Sequence, residues 1–333
     1  MFEVDPNLWL QSFASPELHW LMMAITTLGY EWFYIALIVV LGFGLRLRPT
    51  LGVMLALLLA GVATHAAKTG FELPRPTDVD ARVLHEGEVH VPLVAHGGAD
   101  RFLALPSPQA REAIRAQADP DFGFISGHVA AATAMCLGLL LCFRIRRRAA
   151  WITLCAWPLL MGLSRMYLGR HFLGDVLGGL GTGIVAALLA AWLLPADAPE
   201  PAARRRFRLL WIGTAALFSA GLFTPLIDSP TLGQLAGLVI VLAVLRWRGF
   251  PADRGTLARR VARVACLCAM YLAVKVAMQW LGSATGWQDD NPLWLPTIAI
   301  ATAVMFLGGI GIAMRLRLFA RPADIPAVPP PTT

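Results

Sequence analysis

Repeated long apolar runs constrain this chain more than any other feature. About nine of them approach or exceed the roughly 18–20 residues needed to cross a bilayer. They fall at 31–46, 49–70, 126–144, 149–166, 171–195, 208–227, 231–247, 262–282 and 293–314. In hydrocarbon the backbone must satisfy its own hydrogen bonds, so such a chain folds as helices. Composition agrees: 57% of the residues are apolar and the mean hydropathy is +0.62, far above an ordinary soluble domain. The expected fold is all-α, a polytopic membrane helical bundle with about nine transmembrane helices. A further apolar stretch, Leu18 to Leu28, is interrupted by Gly29-Tyr30-Glu31. With Trp20, Trp32 and Tyr34 as anchors, it predicts an interfacial or re-entrant helix. The opening MFEVDPNLWLQ lacks a basic region, so no cleavable signal peptide is expected.

A pI near 9.6 raises the question of nucleic acid. The placement of the charges argues against that partner, because arginines gather in short segments beside apolar runs. Arg46 and Arg48 follow the first run; Arg144, Arg146, Arg147 and Arg148 the third; Arg204, Arg205, Arg206 and Arg208 the fifth. Arg246, Arg248, Arg254, Arg259, Arg260 and Arg263 follow the seventh, and Arg315, Arg317 and Arg321 the ninth. The short opposite connections, Asp228-Ser-Pro and Gly286–Asn291, carry Asp228, Asp289 and Asp290 and no basic residue. The amino terminus is therefore expected outside and the carboxyl terminus inside. Five cysteines lie within apolar runs and read as buried free thiols.

The expected organisation has an N-terminal interfacial segment over 1–30 and a membrane core over 31–195 with one long outer loop, 76–122. A cytoplasmic linker at 196–207, C-terminal membrane helices over 208–314 and a Pro-rich tail at 315–333 follow. The long loop predicts a short helix near Pro108–Gln117. His85, His90 and His96 in that loop show no ligand spacing and read as surface histidines.

Three short stretches carry chemistry, and all fall at the outer ends of apolar runs. The first is Lys68-Thr-Gly-Phe-Glu-Leu-Pro-Arg75-Pro76. The second is Ser126-Gly127-His128, and the third runs from Ser164-Arg165 through His171 to Asp175. They place Lys68, Arg75, Arg165 and Arg170 on the side that otherwise avoids cations. Lys68 and Arg75 share a face if the helix persists to Pro74. Ser126 is a good helix N-cap, and the helix start after it offers free N–H groups to an anion. His171 and Asp175 are four residues apart and stack on one helical face. A carboxylate inside the bilayer boundary needs a partner, and His171 is the one at hand. Cations, a hydroxyl and two imidazoles together suit a tetrahedral phosphoryl group.

The order and spacing of these stretches resemble the three signature motifs of the type-2 phosphatidic acid phosphatase superfamily. That group includes membrane lipid-phosphate phosphatases, glucose-6-phosphatase, bacterial acid phosphatases and vanadium haloperoxidases. The resemblance covers roughly residues 49–195, with Ile125 where the middle motif usually has Pro. It implies that Lys68, Arg75, Ser126, Gly127 and Arg165 bind the phosphoryl oxygens. His171 is then the nucleophile, Asp175 orients it, and His128 protonates the leaving group. It also implies no metal and no cofactor. The nine-span layout resembles the glucose-6-phosphatase branch.

The expected activity is hydrolysis of a phosphomonoester or diphosphate through a phosphohistidine. The expected substrate is lipid-linked: a polyprenyl diphosphate, phosphatidate or phosphatidylglycerol phosphate at the outer leaflet. The expected setting is a bacterial inner membrane with the site facing outward. Hydrolysis of a soluble sugar phosphate, or phosphotransfer, would use the same residues. A transporter or binding protein with a degenerate site is the non-enzymatic alternative. Such a protein needs cations, but not His128, His171 and Asp175 together. Only two lysines, Lys68 and Lys275, stand among 28 basic side chains. Lys275 lies inside the eighth run and reads either as a cation of the outer cavity or as a snorkelling side chain.

Overall fold

The computed structural model describes residues 1–195, 199–227, 229–286, 291 and 293–319. The start of the 196–207 linker, Asp228, Asp289, Asp290 and the tail beyond Phe319 lie outside the described residues. Among those described, the regular structure is helical. Two short amino-terminal helices, α1 (Asp5–Gln11) and α2 (Pro16–Thr27), precede α3 (Glu31–Val39), which widens into a π-helical turn over Val40–Leu45. The long α4 (Leu47–Phe71) leads to the loop carrying α5 (Pro76–Val79) and α6 (Pro108–Arg115). Then come α7 (Gly127–Cys142), α8 (Arg148–Tyr167) and α9 (Leu173–Leu193). The chain continues through α10 (Glu200–Gly221), α11 (Pro230–Arg248), α12 (Leu257–Thr285) and α13 (Trp294–Arg315).

Six of these are long and apolar enough to cross a membrane: α4 with its extension to Val79, α8, α9, α11, α12 and α13. The pair formed by α2 and α3, bent by 55°, makes a seventh if it is one span. Among the described residues the sequence-based count of nine is therefore not confirmed. The 16-residue α7 is too short. The first turns of α10 carry Glu200, Arg204, Arg205, Arg206 and Arg208. Both are nonetheless helices where apolar runs were read. The chain is a helical membrane bundle, and its outer faces are apolar, with Ile152, Leu159, Val185 and Leu188 exposed on α8 and α9.

The inner layer is α4, α7 and α9, packed on one another, with α8 closing against α7. Small residues set this contact. A methyl group at Gly179 would meet the Ser126 carbonyl at 2.7 Å, and one at Gly183 would meet Thr133 Cβ at 2.4 Å. Glycines four residues apart let the α9 backbone lie directly on α7, as small residues do between membrane helices. The carboxyl-terminal helices pack through α11, which contacts both α4 and α13.

Arginines collect at the opposite end from the motifs. Arg48 lies over Phe250, Arg246 over Phe207 and Arg263 over Phe319, while Asp253 accepts from the Leu47 N–H. All five cysteines are free thiols, but only Cys136 is fully buried. Cys155 and Cys268 are exposed, because their helices turn those faces away from the bundle. Lys275 is exposed on α12 and makes no hydrogen bond or ion pair with a described residue.

Candidate active site

The end of α4 brings Lys68 and Arg75 together, though not as helical neighbours. The helix stops at Phe71, and Glu72 takes a left-handed conformation with φ of 51°. Leu73 precedes Pro74, which disfavours further helix. The expectation that both cations share a helix face is corrected accordingly. They meet by clamping the segment before α7. Lys68 Nζ donates to the Phe122 carbonyl at 2.8 Å, and Arg75 Nε to the Asp121 carbonyl at 3.0 Å. Arg75 Nη2 also pairs with the Asp121 carboxylate.

Ser126 stands at the N-cap position of α7, but its hydroxyl makes no capping bond. Its Oγ is buried without a partner, and its N–H donates to the Asp175 carbonyl at 3.0 Å. Gly127 and His128 open the helix. The His128 ring meets Tyr30 edge-on, with centroids 5.1 Å apart, and its Nε2 is buried without a partner.

His171 lies just before α9, and Asp175 is fully buried in the first turn. Asp175 Oδ2 accepts from the Phe172 N–H at 2.9 Å and faces His171 Nδ1 at 3.3 Å. The expected pair forms, but not by stacking on one helical face: His171 precedes the helix and meets Asp175 across its N-terminal turn. With Nδ1 engaged, Nε2 is the ring nitrogen left to react. Burial, with repulsion from Arg75, Arg165 and Lys68, holds the His171 imidazolium well below the usual imidazole pKa. From α8, Arg165 Nη1 donates to Thr26 Oγ1 at 2.7 Å, while its Nε is buried and unpaired.

The eight residues singled out in the sequence fall at one end of α4, α7, α8 and α9. His128 lies within electrostatic reach of Arg165, Arg170, Lys68 and Arg75, and His171 within reach of Arg75, Arg165, Lys68 and His128. Several partners were not singled out. Asn7 hydrogen-bonds the His171 carbonyl, Thr26 holds Arg165, Tyr30 packs on His128, and Asp121 joins the cations. Arg170 was noted as an outer cation but not as a site residue. It contacts the His85 ring, and its Nη2 lies 3.8 Å from Asp121 Oδ2. His85 is half-buried there, whereas His96 fits the surface reading.

The helical membrane bundle thus holds a buried histidine–carboxylate pair beside fixed cations. Residues 49–198 match the family model described as the PAP2 superfamily. The structure is also similar to the crystal structure of Aquifex aeolicus LpxE, at 21% identity and a TM-score of 0.43. That similarity covers 57% of this chain and 94% of the other. No curated protein matches the chain.

Proposed function

We propose that this protein hydrolyses a lipid-linked phosphate or diphosphate through a phosphohistidine on His171, without a metal. One observation carries the reading. Arg75 Nη1, Arg165 Nε, Ser126 Oγ and His128 Nε2 are all buried and unpaired. Other buried polar atoms, such as Tyr34 Oη and Arg263 Nε, also lack partners. These four, however, come from all three motifs at one end of the bundle, where a bound oxyanion would satisfy them. A phosphoryl group supplies the oxygens that such donors need.

In this mechanism Lys68, Arg75 and Arg165, with Ser126 and the Gly127 N–H, hold the phosphoryl oxygens. His171 Nε2 attacks phosphorus as the bond to the leaving oxygen breaks, and His128 gives that oxygen a proton. Asp175 steadies the imidazole through Nδ1. His128 then takes a proton from water, whose oxygen attacks phosphorus. The P–N bond breaks, restoring His171 and releasing inorganic phosphate. The transition state is loose, so positioned cations are the main catalytic resource.

A lipid substrate is favoured by a cavity of about 240 Å³. It starts at Lys68 and Gly127 and continues between α4 and α7 past Thr64 to Ala60 and Leu57. Lys68 to Leu57 spans about 16 Å of helix, so an apolar chain can follow the phosphate end into the bilayer. The arginine-rich opposite end is assigned to the cytoplasm, and the site to the outer side of a bacterial inner membrane.

Phosphate release by the purified protein from phosphatidate, polyprenyl diphosphate and a sugar phosphate tests the proposal. Lipid substrates should turn over in EDTA, and His171→Ala should lose about three orders of magnitude or more. A brief reaction with labelled lipid should trap an acid-labile, base-stable phosphoenzyme. Wild-type turnover by His171→Ala would sink the mechanism. Turnover of the sugar phosphate alone would sink the lipid assignment.

A further inference from the structure

Four cations in one cleft repel one another, and in the resting protein an anion sits among them. That anion is Asp121. Its Oδ1 pairs with Arg75 Nη2 and lies 3.9 Å from Lys68 Nζ, and its Oδ2 lies 3.8 Å from Arg170 Nη2. The carboxylate therefore spans from the phosphoryl-binding pair to the outer arginine. It is also the exposed member of the cluster: its side chain is 63% exposed, against 9% for Arg75. The carboxylate stands at the solvent side of the cluster, with a path out.

The backbone makes that exit inexpensive. Arg75 Nε binds the Asp121 carbonyl and Lys68 Nζ the Phe122 carbonyl, so the loop stays clamped without the side chain. Only one contact from Arg75 and the two longer approaches are lost when the carboxylate turns outward. Arg170 retains His85 and Glu86, with Glu86 Oε1 3.8 Å from its Nε. Burial raises the Asp121 carboxyl, but Arg75, Lys68 and Arg170 outweigh that and hold it below its usual range. It is an anion throughout the neutral range.

The geometry points to Asp121 as an internal competitor for the phosphoryl site, a carboxylate that incoming phosphate must displace from Arg75, Lys68 and Arg170. The inference rests on the reading of Arg75 and Lys68 as phosphoryl-binding. An internal competitor leaves the site competent only for the fraction of time the carboxylate is out. It therefore weakens every oxyanion by the same factor, whatever the rest of the ligand. Weak anions abundant around a membrane site are thereby kept from occupying it, while a tightly held substrate still displaces the side chain.

The experiment measures binding of inorganic phosphate and of orthovanadate to full-length protein by calorimetry, for wild type, Asp121→Asn and Asp121→Ala. Both variants should bind both anions more tightly, by a common factor of about tenfold if the carboxylate holds the site nine-tenths of the time. KM for the lipid substrate should fall in step. Unchanged or weaker binding in both folded variants would mean that Asp121 positions Arg75 instead, and the inference would be overturned. A gain for one anion but not the other would overturn it as well, since displacement acts on both alike. If wild type binds neither anion and releases no phosphate, the phosphatase reading itself fails. Wild-type turnover with no gain in the variants removes only the role of Asp121.

Discussion

Asn7, near the amino terminus, donates its side-chain amide to the backbone carbonyl of His171 at 3.0 Å. The same nitrogen reaches the Met166 carbonyl at 2.8 Å. The side chain is fully buried, on a helix that packs against α8. The amino-terminal segment thus fixes the loop that presents the proposed nucleophile, and does more than lie at an interface.

Replacing Asn7 by Ala leaves two buried carbonyls without this donor. The expected cost is about 1–3 kcal/mol of stability, read as a lower Tm. The kinetic signature is more specific. kcat should fall about tenfold to a hundredfold with little change in KM, since phosphate-binding cations are untouched and the attack geometry is not. A variant with lower Tm but wild-type kcat would reduce Asn7 to a packing role.

Gly29 is the hinge between α2 and α3, and it lies against the His128 ring. A methyl group there would sit 2.4 Å from His128 Cδ2 and 3.0 Å from Met161 Cε. Gly29→Ala is expected to push the imidazole off its position. Release of the leaving group should slow by at least about tenfold, while orthovanadate still binds. Wild-type kinetics from Gly29→Ala would place His128 elsewhere during the reaction.

The pH dependence has a defined sign. Burial and the surrounding cations disfavour the His171 imidazolium, so the neutral, nucleophilic form persists as pH drops below 6.5. The acid limb of kcat/KM should therefore lie below the ordinary imidazole value, once the substrate's own second ionisation near 6 is taken into account. An acid limb centred at or above about 6.5 would contradict the burial of the nucleophile.

Orientation can be read by labelling. Val89 is strongly exposed in the long loop, and Arg205 is exposed near the start of α10. In a cysteine-free background, Val89→Cys should react with an impermeant maleimide in intact cells. Arg205→Cys should react only after lysis. The opposite pattern would move the site to the cytoplasmic face.

Local features of this protein were legible in its sequence because their physics is local. Long apolar runs can only be helices in a bilayer, and the runs at 126–144 and 208–227 are helices even though neither passes as a span. The pairing of His171 with Asp175 was legible from their spacing, but its geometry was not: His171 precedes α9, and the two meet across the helix's first turn instead of along one face. The approach of Lys68 to Arg75 was misjudged because it depends on Glu72 turning left-handed, which neither residue announces. Asp121 reaches Arg75 across 46 residues, and Asn7 reaches His171 across 164. No periodicity encodes such contacts. They follow from how closely α9 lies on α7 at Gly179 and Gly183, and from a loop and an amino terminus folding onto the end of that pair. Helices and motif spacing are properties of neighbouring residues. Which polar atoms are left unpaired, and which carboxylate fills the cleft, was decided only by packing.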